Sequence, residues 1–177
     1  EAKTKLEQIR RDYPNLAGIC HFTAMDIGFS PQGVIDEFYE KKFVTAEVWR
    51  QTTGPTAILT DSNFDDRIYV SGMDFEKTIF ISDFSHPPLK NPAIEWDFSG
   101  ETVKEHGEFS FTHKPFCTDK IGNIRIRLPD VQSPEKVRLR IKAKEEGRTF
   151  ENHWDYWIFS ETTNMVEFVV YGKAKKT

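Results

Sequence analysis

From about Ala57 onward, apolar residues fall at every second position in short runs. Ile68 and Val70 share a face, as do Ile79 and Ile81 with Phe80 opposite. Ile94, Trp96 and Phe98 follow, then Phe109 and Phe111. Ile124, Ile126 and Leu128 alternate with Arg125 and Arg127, and Val137, Leu139, Ile141 and Ala143 with Arg138, Arg140 and Lys142. The last runs are residues 156–159 and 166–170. Turn residues separate them: Ser71-Gly72, His86-Pro87-Pro88, Ser99-Gly100, Gly122-Asn123, Ser133-Pro134 and Glu146-Gly147. A period of two puts successive side chains on opposite faces of a strand. Many short runs of this kind, broken by turns, predict an antiparallel β-sandwich whose sheets each have one core face and one wet face.

Residues 1–56 follow a different pattern. Thr4 and Glu7 have capping-box spacing, and Leu6, Ile9 and Tyr13 trace an apolar stripe, so a helix ending near Asp12 is predicted. Residues 16–22 are mostly apolar, as in a strand buried on both faces of a parallel sheet. Ser30-Pro31 is a helix start, with Ser as N-cap and Pro at the first helical position; Val34, Ile35, Phe38 and Tyr39 then give helical periodicity. A second short helix is predicted from Thr45 to Gln51, stopped by Gly54-Pro55. Helix, buried strand, helix is the grammar of an α/β domain. A lone parallel strand leaves unpaired backbone groups on both edges. This segment is therefore expected to be the end of a larger domain, or to pack on the sandwich or on a second copy of the chain.

Composition narrows the function. The 177 residues are 38% hydrophobic and 14% aromatic, with fifteen Phe and four Trp, enough for a core built on large rings. The formal net charge of −4, with both signs interspersed, speaks against a nucleic-acid partner, which needs a basic excess. Lys173, Lys175 and Lys176 are read as a solvated basic tail. No apolar run is long enough to span a membrane as a helix. Cys20 and Cys117 fall in different units, so neither a disulfide nor a cysteine-ligated zinc site is expected. His86, His106, His113 and His153 show no metal-ligand spacing, and no phosphate loop or nucleophile elbow is present. No cofactor and no metal are expected.

Several segments, taken in order, resemble a known family. Asn15-Leu16-Ala17-Gly18 leads to Phe22-Thr23-Ala24-Met25-Asp26, then Gly33-Val34-Ile35-Asp36-Glu37-Phe38-Tyr39, Lys42-Phe43-Val44, Trp49-Arg50 and Gly54-Pro55-Thr56. This order resembles the end of the catalytic barrel in glycoside hydrolase family 2, the β-galactosidase-like enzymes. Asn152-His153-Trp154-Asp155-Tyr156-Trp157-Ile158-Phe159 resembles a strand of the Ig-like sandwich that follows that barrel, and Pro88-Leu89-Lys90-Asn91 and Trp96 are similarly placed. The resemblance spans roughly residues 4–160. It implies a mainly β chain: an antiparallel Ig-like β-sandwich over 57–177, preceded by a short α/β remnant of a TIM-type barrel over 1–56. It implies a galactosidase-like parent enzyme acting on β-linked sugars through two glutamates on barrel strands that this segment lacks. The segment itself is then inactive, with the sandwich buttressing the barrel. Its partners would be the missing N-terminal domains and, through the parent, a carbohydrate. The alternatives are a carbohydrate-binding sandwich and an interaction module that self-associates through the α/β segment.

Barrel active sites lie at the C-terminal ends of the strands, so the resemblance places His21, Thr23 and Asp26 near such a rim, with His21 and Asp26 as substrate-binding candidates. Asp26 is more simply a turn cap before Gly28, and His21 equally a structural histidine. Asp36, Glu37 and Glu40 beside Lys41 and Lys42 read as a solvated helix face. Trp154 and Trp157, an odd number apart, take opposite faces of their strand, so at most one is core. Trp96 is read as core.

Overall fold

A computed structural model of the chain describes residues 2–14, 20, 23–42, 45–63 and 65–161. The chain is mainly β, with an antiparallel and a mixed sheet. Two helices, α1 (Ala2–Asp12) and α2 (Ala46–Thr53), precede the strands. The strands are β1 (Thr56–Thr60), β2 (Ile68–Val70), β3 (Asp74–Asp83), β4 (Ala93–Ser99), β5 (Lys104–Phe109), β6 (Cys117–Arg127), β7 (Glu135–Glu145) and β8 (Arg148–Phe159). One sheet has the order β1-β3-β6 and the other β2-β8-β7-β4-β5.

The period-two reading holds for the long strands. Phe75, Ile79 and Ile81 of β3, Ile124 and Ile126 of β6, and Val137, Leu139, Ile141 and Ala143 of β7 join Trp154, Tyr156 and Ile158 of β8 in one buried cluster. Both sheets thus bury one face in a common core. Phe75 and Phe98 stack at its centre, 4.4 Å between ring centroids. Lys77 also points inward, and its ammonium lies 5.8–6.0 Å from the rings of Tyr69, Phe75 and Tyr156, a cation–π environment. Trp96 is only half-buried: its ring lies across Gly107, its register partner on β5, where a Cβ would come within 2.7 Å of the indole. On the outer face of the larger sheet the basic row of β7 sits between acidic residues of β4 and β8. Arg138 meets Asp155 at 2.6 Å, Arg140 meets Glu151 at 3.2 Å, and Lys144 meets Glu95 at 2.7 Å.

Several expectations require correction. β2 pairs with β8 in parallel, not antiparallel; the two strands are far apart in sequence, so no hairpin imposes an antiparallel partner. Ile68 and Val70 face outward, and Tyr69 packs inward against Phe75, because the larger ring buries more apolar area. The helix expected after Ser30-Pro31 does not form. Asp36 Oδ1 accepts from the backbone N–H of Phe38 and of Glu40, Tyr39 takes a left-handed φ of 64°, and Ile35 bridges to Met25 and Lys41. A side chain that bonds its own neighbouring amides competes with the helical ladder. The helix expected from Thr45 is present as α2, with Thr45 Oγ1 accepting from Val48 N–H at 3.2 Å. The expected strand over 166–170 lies outside the described residues, as does all but Cys20 of the one over 16–22.

Candidate functional site

The helix α1 is seated on the β unit by its polar face. Thr4 and Glu7 were expected to form a capping box, but the helix already begins at Ala2 and both residues are buried within it. The two carboxylate oxygens of Glu7 accept from Asn152 Nδ2 and from Trp154 Nε1, each at 2.9 Å. Asn152, wholly buried on β8, also donates to the Ile58 carbonyl at 2.7 Å, which ties the junction to β1. Lys3 donates to the His153 carbonyl at 2.7 Å and lies 5.5 Å from the Trp154 ring. Burial pulls the Lys3 pKa below its ordinary value, against the pull of Glu7. One turn on, Arg10 donates to Ser82 Oγ and to the carbonyls of Thr52, Gly54 and Pro55 at 2.5–2.9 Å. Burial lowers its pKa to about 10. Along the apolar stripe of the same helix Leu6 and Ile9 are half-buried and Tyr13 is exposed.

A second polar cluster lies where β3 ends and β6 begins. Asp83 and Cys117 are register partners there, and His113 sits in the loop that leads into β6. His113 Nδ1 is 3.1 Å from Asp119 Oδ2, and Nε2 is 3.8 Å from Asp83 Oδ2. The loop is closed by the His113 N–H on the Lys90 carbonyl at 2.7 Å and the Cys117 thiol on the Lys114 carbonyl at 3.0 Å. Between them Pro115 and a left-handed Phe116, φ 58°, form the turn, a position that usually favours glycine. Asp83 is buried, yet hydrogen bonds from Thr56, Leu89 and Ser85 outweigh that burial and hold its pKa below the usual carboxylate range. Burial, then the neighbouring Asp119, raises the Cys117 thiol to about 11. That is far from the thiolate a cysteine nucleophile needs at neutral pH. In the sequence this cluster reads His-x-x-x-Cys-x-Asp. Its signal is weak because the ligand spacing is set by one unusual turn.

Of the two predicted sugar-binding residues only Asp26 is among the described residues, and its hydrogen bonds stay within its own loop. His21 lies outside the described residues. Asp26 Oδ1 accepts from the Gly33 N–H at 2.6 Å and from Lys42 Nζ at 2.9 Å, which closes its own loop. These bonds, the one from Lys42 foremost, hold its pKa below the usual range. Around it, Ile27, Phe29, Phe38 and Tyr39 are all exposed. Trp154 and Trp157 do take opposite faces: Trp154 is buried, whereas Trp157 is 43% exposed beside Ile68 of β2. No helix among the described residues is long and apolar enough to cross a membrane.

No curated protein sequence matches the chain. Among solved structures, part of the chain is similar to an alkylpurine DNA glycosylase, AlkC, of Pseudomonas fluorescens bound to DNA containing an abasic-site analogue. That likeness has a TM-score of 0.44 at 6% identity, over 64% of this chain and 33% of that one. A β-glucuronidase of Parabacteroides merdae gives 0.35 at 12% identity, over 51% of this chain and 12% of that one. A family 123 glycoside hydrolase from Clostridium perfringens gives 0.34 at 14% identity, over 52% and 22%. The chain spans a third or less of each of these proteins. Residues 73–160, from the start of β3 to the end of β8, match the family model described as a domain of unknown function, DUF8488.

Proposed function

We propose that this chain is the non-catalytic C-terminal part of a glycoside hydrolase of the β-galactosidase-like kind, in which an Ig-like sandwich holds the last helices of a catalytic barrel. The observation that carries the reading is the way α1 is held. Its polar face binds β8 through Glu7, Asn152 and Trp154, while Tyr13 at the end of its apolar stripe is exposed. Asn152 and Trp154 belong to the segment whose pattern resembles the sandwich strand of that family. Ile27, Phe29, Phe38 and Tyr39 on the same N-terminal segment are exposed as well. Such surfaces mark contacts with another domain or chain. The strand order supports the Ig-like part of the reading. β1 pairs with β3 and β2 with β8, so the first two strands are shared between the sheets, and β6 completes one sheet while β7, β4 and β5 complete the other.

The test is hydrolysis of nitrophenyl glycosides. The purified chain should give none, and the complete gene product should be active. Retaining hydrolysis by the chain alone, or a complete product without a barrel, would overturn the reading. The exposure of Trp157 on the outer sheet face favours a second reading, a sandwich that binds sugar rings on that indole. Calorimetry against a polysaccharide panel separates the two: saturable heat lost in Trp157→Ala, with the fold retained, supports sugar binding, and no heat with any polysaccharide removes it.

A further inference from the structure

His113 is buried where β6 begins, beside Asp83, Cys117 and Asp119. The side chain of His113 has no exposed surface, and neither ring nitrogen has a hydrogen-bond partner among the described residues. Buried imidazoles are normally satisfied, and one left without partners calls for an unseen ligand. Asp119 Oδ2 is 3.1 Å from Nδ1, yet the pair does not meet the geometry of a hydrogen bond. Cys117 Sγ and Asp119 Oδ2, each 3.0 Å from a backbone atom of Lys114, are held by that turn beside the imidazole and within reach of one ion.

We propose that His113, Cys117 and Asp119 bind one transition-metal ion of the zinc class, which pins the loop before β6 to the end of the β1-β3-β6 sheet. One ligand atom from each of the three residues lies within 4.8 Å of the others. Zinc bonds of about 2.0–2.3 Å in tetrahedral geometry place ligand atoms roughly 3.3–3.8 Å apart. Closing the cluster on an ion therefore needs only a small inward shift of side chains. The donor set is one imidazole, one thiolate and one carboxylate. Thiolate and imidazole suit zinc and exclude calcium or magnesium as the natural occupant. Asp83 completes the arrangement from behind. With an ion on the Nδ1 side, Nε2 would face the Asp83 carboxylate at 3.8 Å, the outer carboxylate that orients a ligating imidazole. Three protein ligands leave a fourth position for water.

The experiment is Co²⁺ titration of the full chain after chelator treatment, read by absorption, with Zn²⁺ competition. One equivalent of Co²⁺ should give a thiolate-to-cobalt charge-transfer band that Zn²⁺ abolishes, and Zn²⁺ should raise the melting temperature. Cys20→Ser should keep the band. Cys117→Ser should lose it while retaining the melting temperature of the ion-free protein, and His113→Gln should weaken uptake at least tenfold. Cys117 is partly exposed, so its serine variant tests the site even if His113→Gln fails to fold. A band that persists in Cys117→Ser, a band that vanishes in Cys20→Ser, or no uptake at stoichiometric Co²⁺ overturns the proposal.

Discussion

Glu7→Ala removes the carboxylate that joins α1 to β8. Trp154 Nε1 then loses its partner in a buried site, while Asn152 Nδ2 keeps the Ile58 carbonyl. An orphaned buried donor costs about 1–3 kcal/mol. Lys3 adds to this, because the carboxylate 3.8 Å away helps to keep its partly buried ammonium charged. A total loss of about 2–4 kcal/mol is expected, with the helix undocked from the sheet. At about 2–4 °C per kcal/mol for a chain of this size, the melting temperature should fall by roughly 5–15 °C. Urea unfolding followed by tryptophan fluorescence measures it, since Trp154 lies in the junction. Trp154→Phe removes only the indole N–H and some volume, so a double-mutant cycle with Glu7→Ala isolates the bond. The coupling should be about 1 kcal/mol or more. Additive losses, or a Glu7→Ala effect below about 0.5 kcal/mol, would refute the argument that this carboxylate anchors the helix.

Two further outcomes follow from the same packing. Gly107→Ala places a methyl group 2.7 Å from the Trp96 indole and should cost about 1–3 kcal/mol by overpacking, whereas Gly147→Ala, which meets nothing within 4 Å, should lose less despite its left-handed φ of 76°; denaturant midpoints of the two variants decide it. Asp155 is partly buried, but hydrogen bonds from Arg138 and Lys136 outweigh that and depress its pKa from 3.8 to about 2. A depressed carboxylate contributes stability that is complete above its unfolded pKa and is lost as the pH falls through the folded one. Stability should therefore drop between about pH 4 and pH 2, and Asp155→Asn should flatten that segment of the profile; an unchanged acid profile in the variant would count against the ion-pair row.

The long strands were legible because alternation is a local property. Val137, Leu139, Ile141 and Ala143 needed only their own spacing to be placed inside, and Trp154 and Trp157 needed only their parity. α2 was legible for the same reason, as Thr45 caps it within one turn. The segment after Ser30-Pro31 misled because its apolar period competes with an Asp36 side chain that bonds its own loop, and the period alone does not rank the two. β2 misled because two apolar residues at alternate positions do not say which face is larger; Tyr69 does, once Phe75 and Tyr156 are beside it.

What the sequence determined by itself was therefore the β character of residues 57–159, the inward and outward faces of the long strands, and the start of α2. The tertiary structure alone decided three things. It set the pairing of β2 with β8, since partners far apart in sequence carry no local signal. It turned the polar face of α1 inward, because Asn152 and Trp154 offer Glu7 two buried donors that no helical pattern reveals. And it set Asp83 beside His113, Cys117 and Asp119, which a local turn groups at the start of β6 but which Asp83 meets only when β3 and β6 pair.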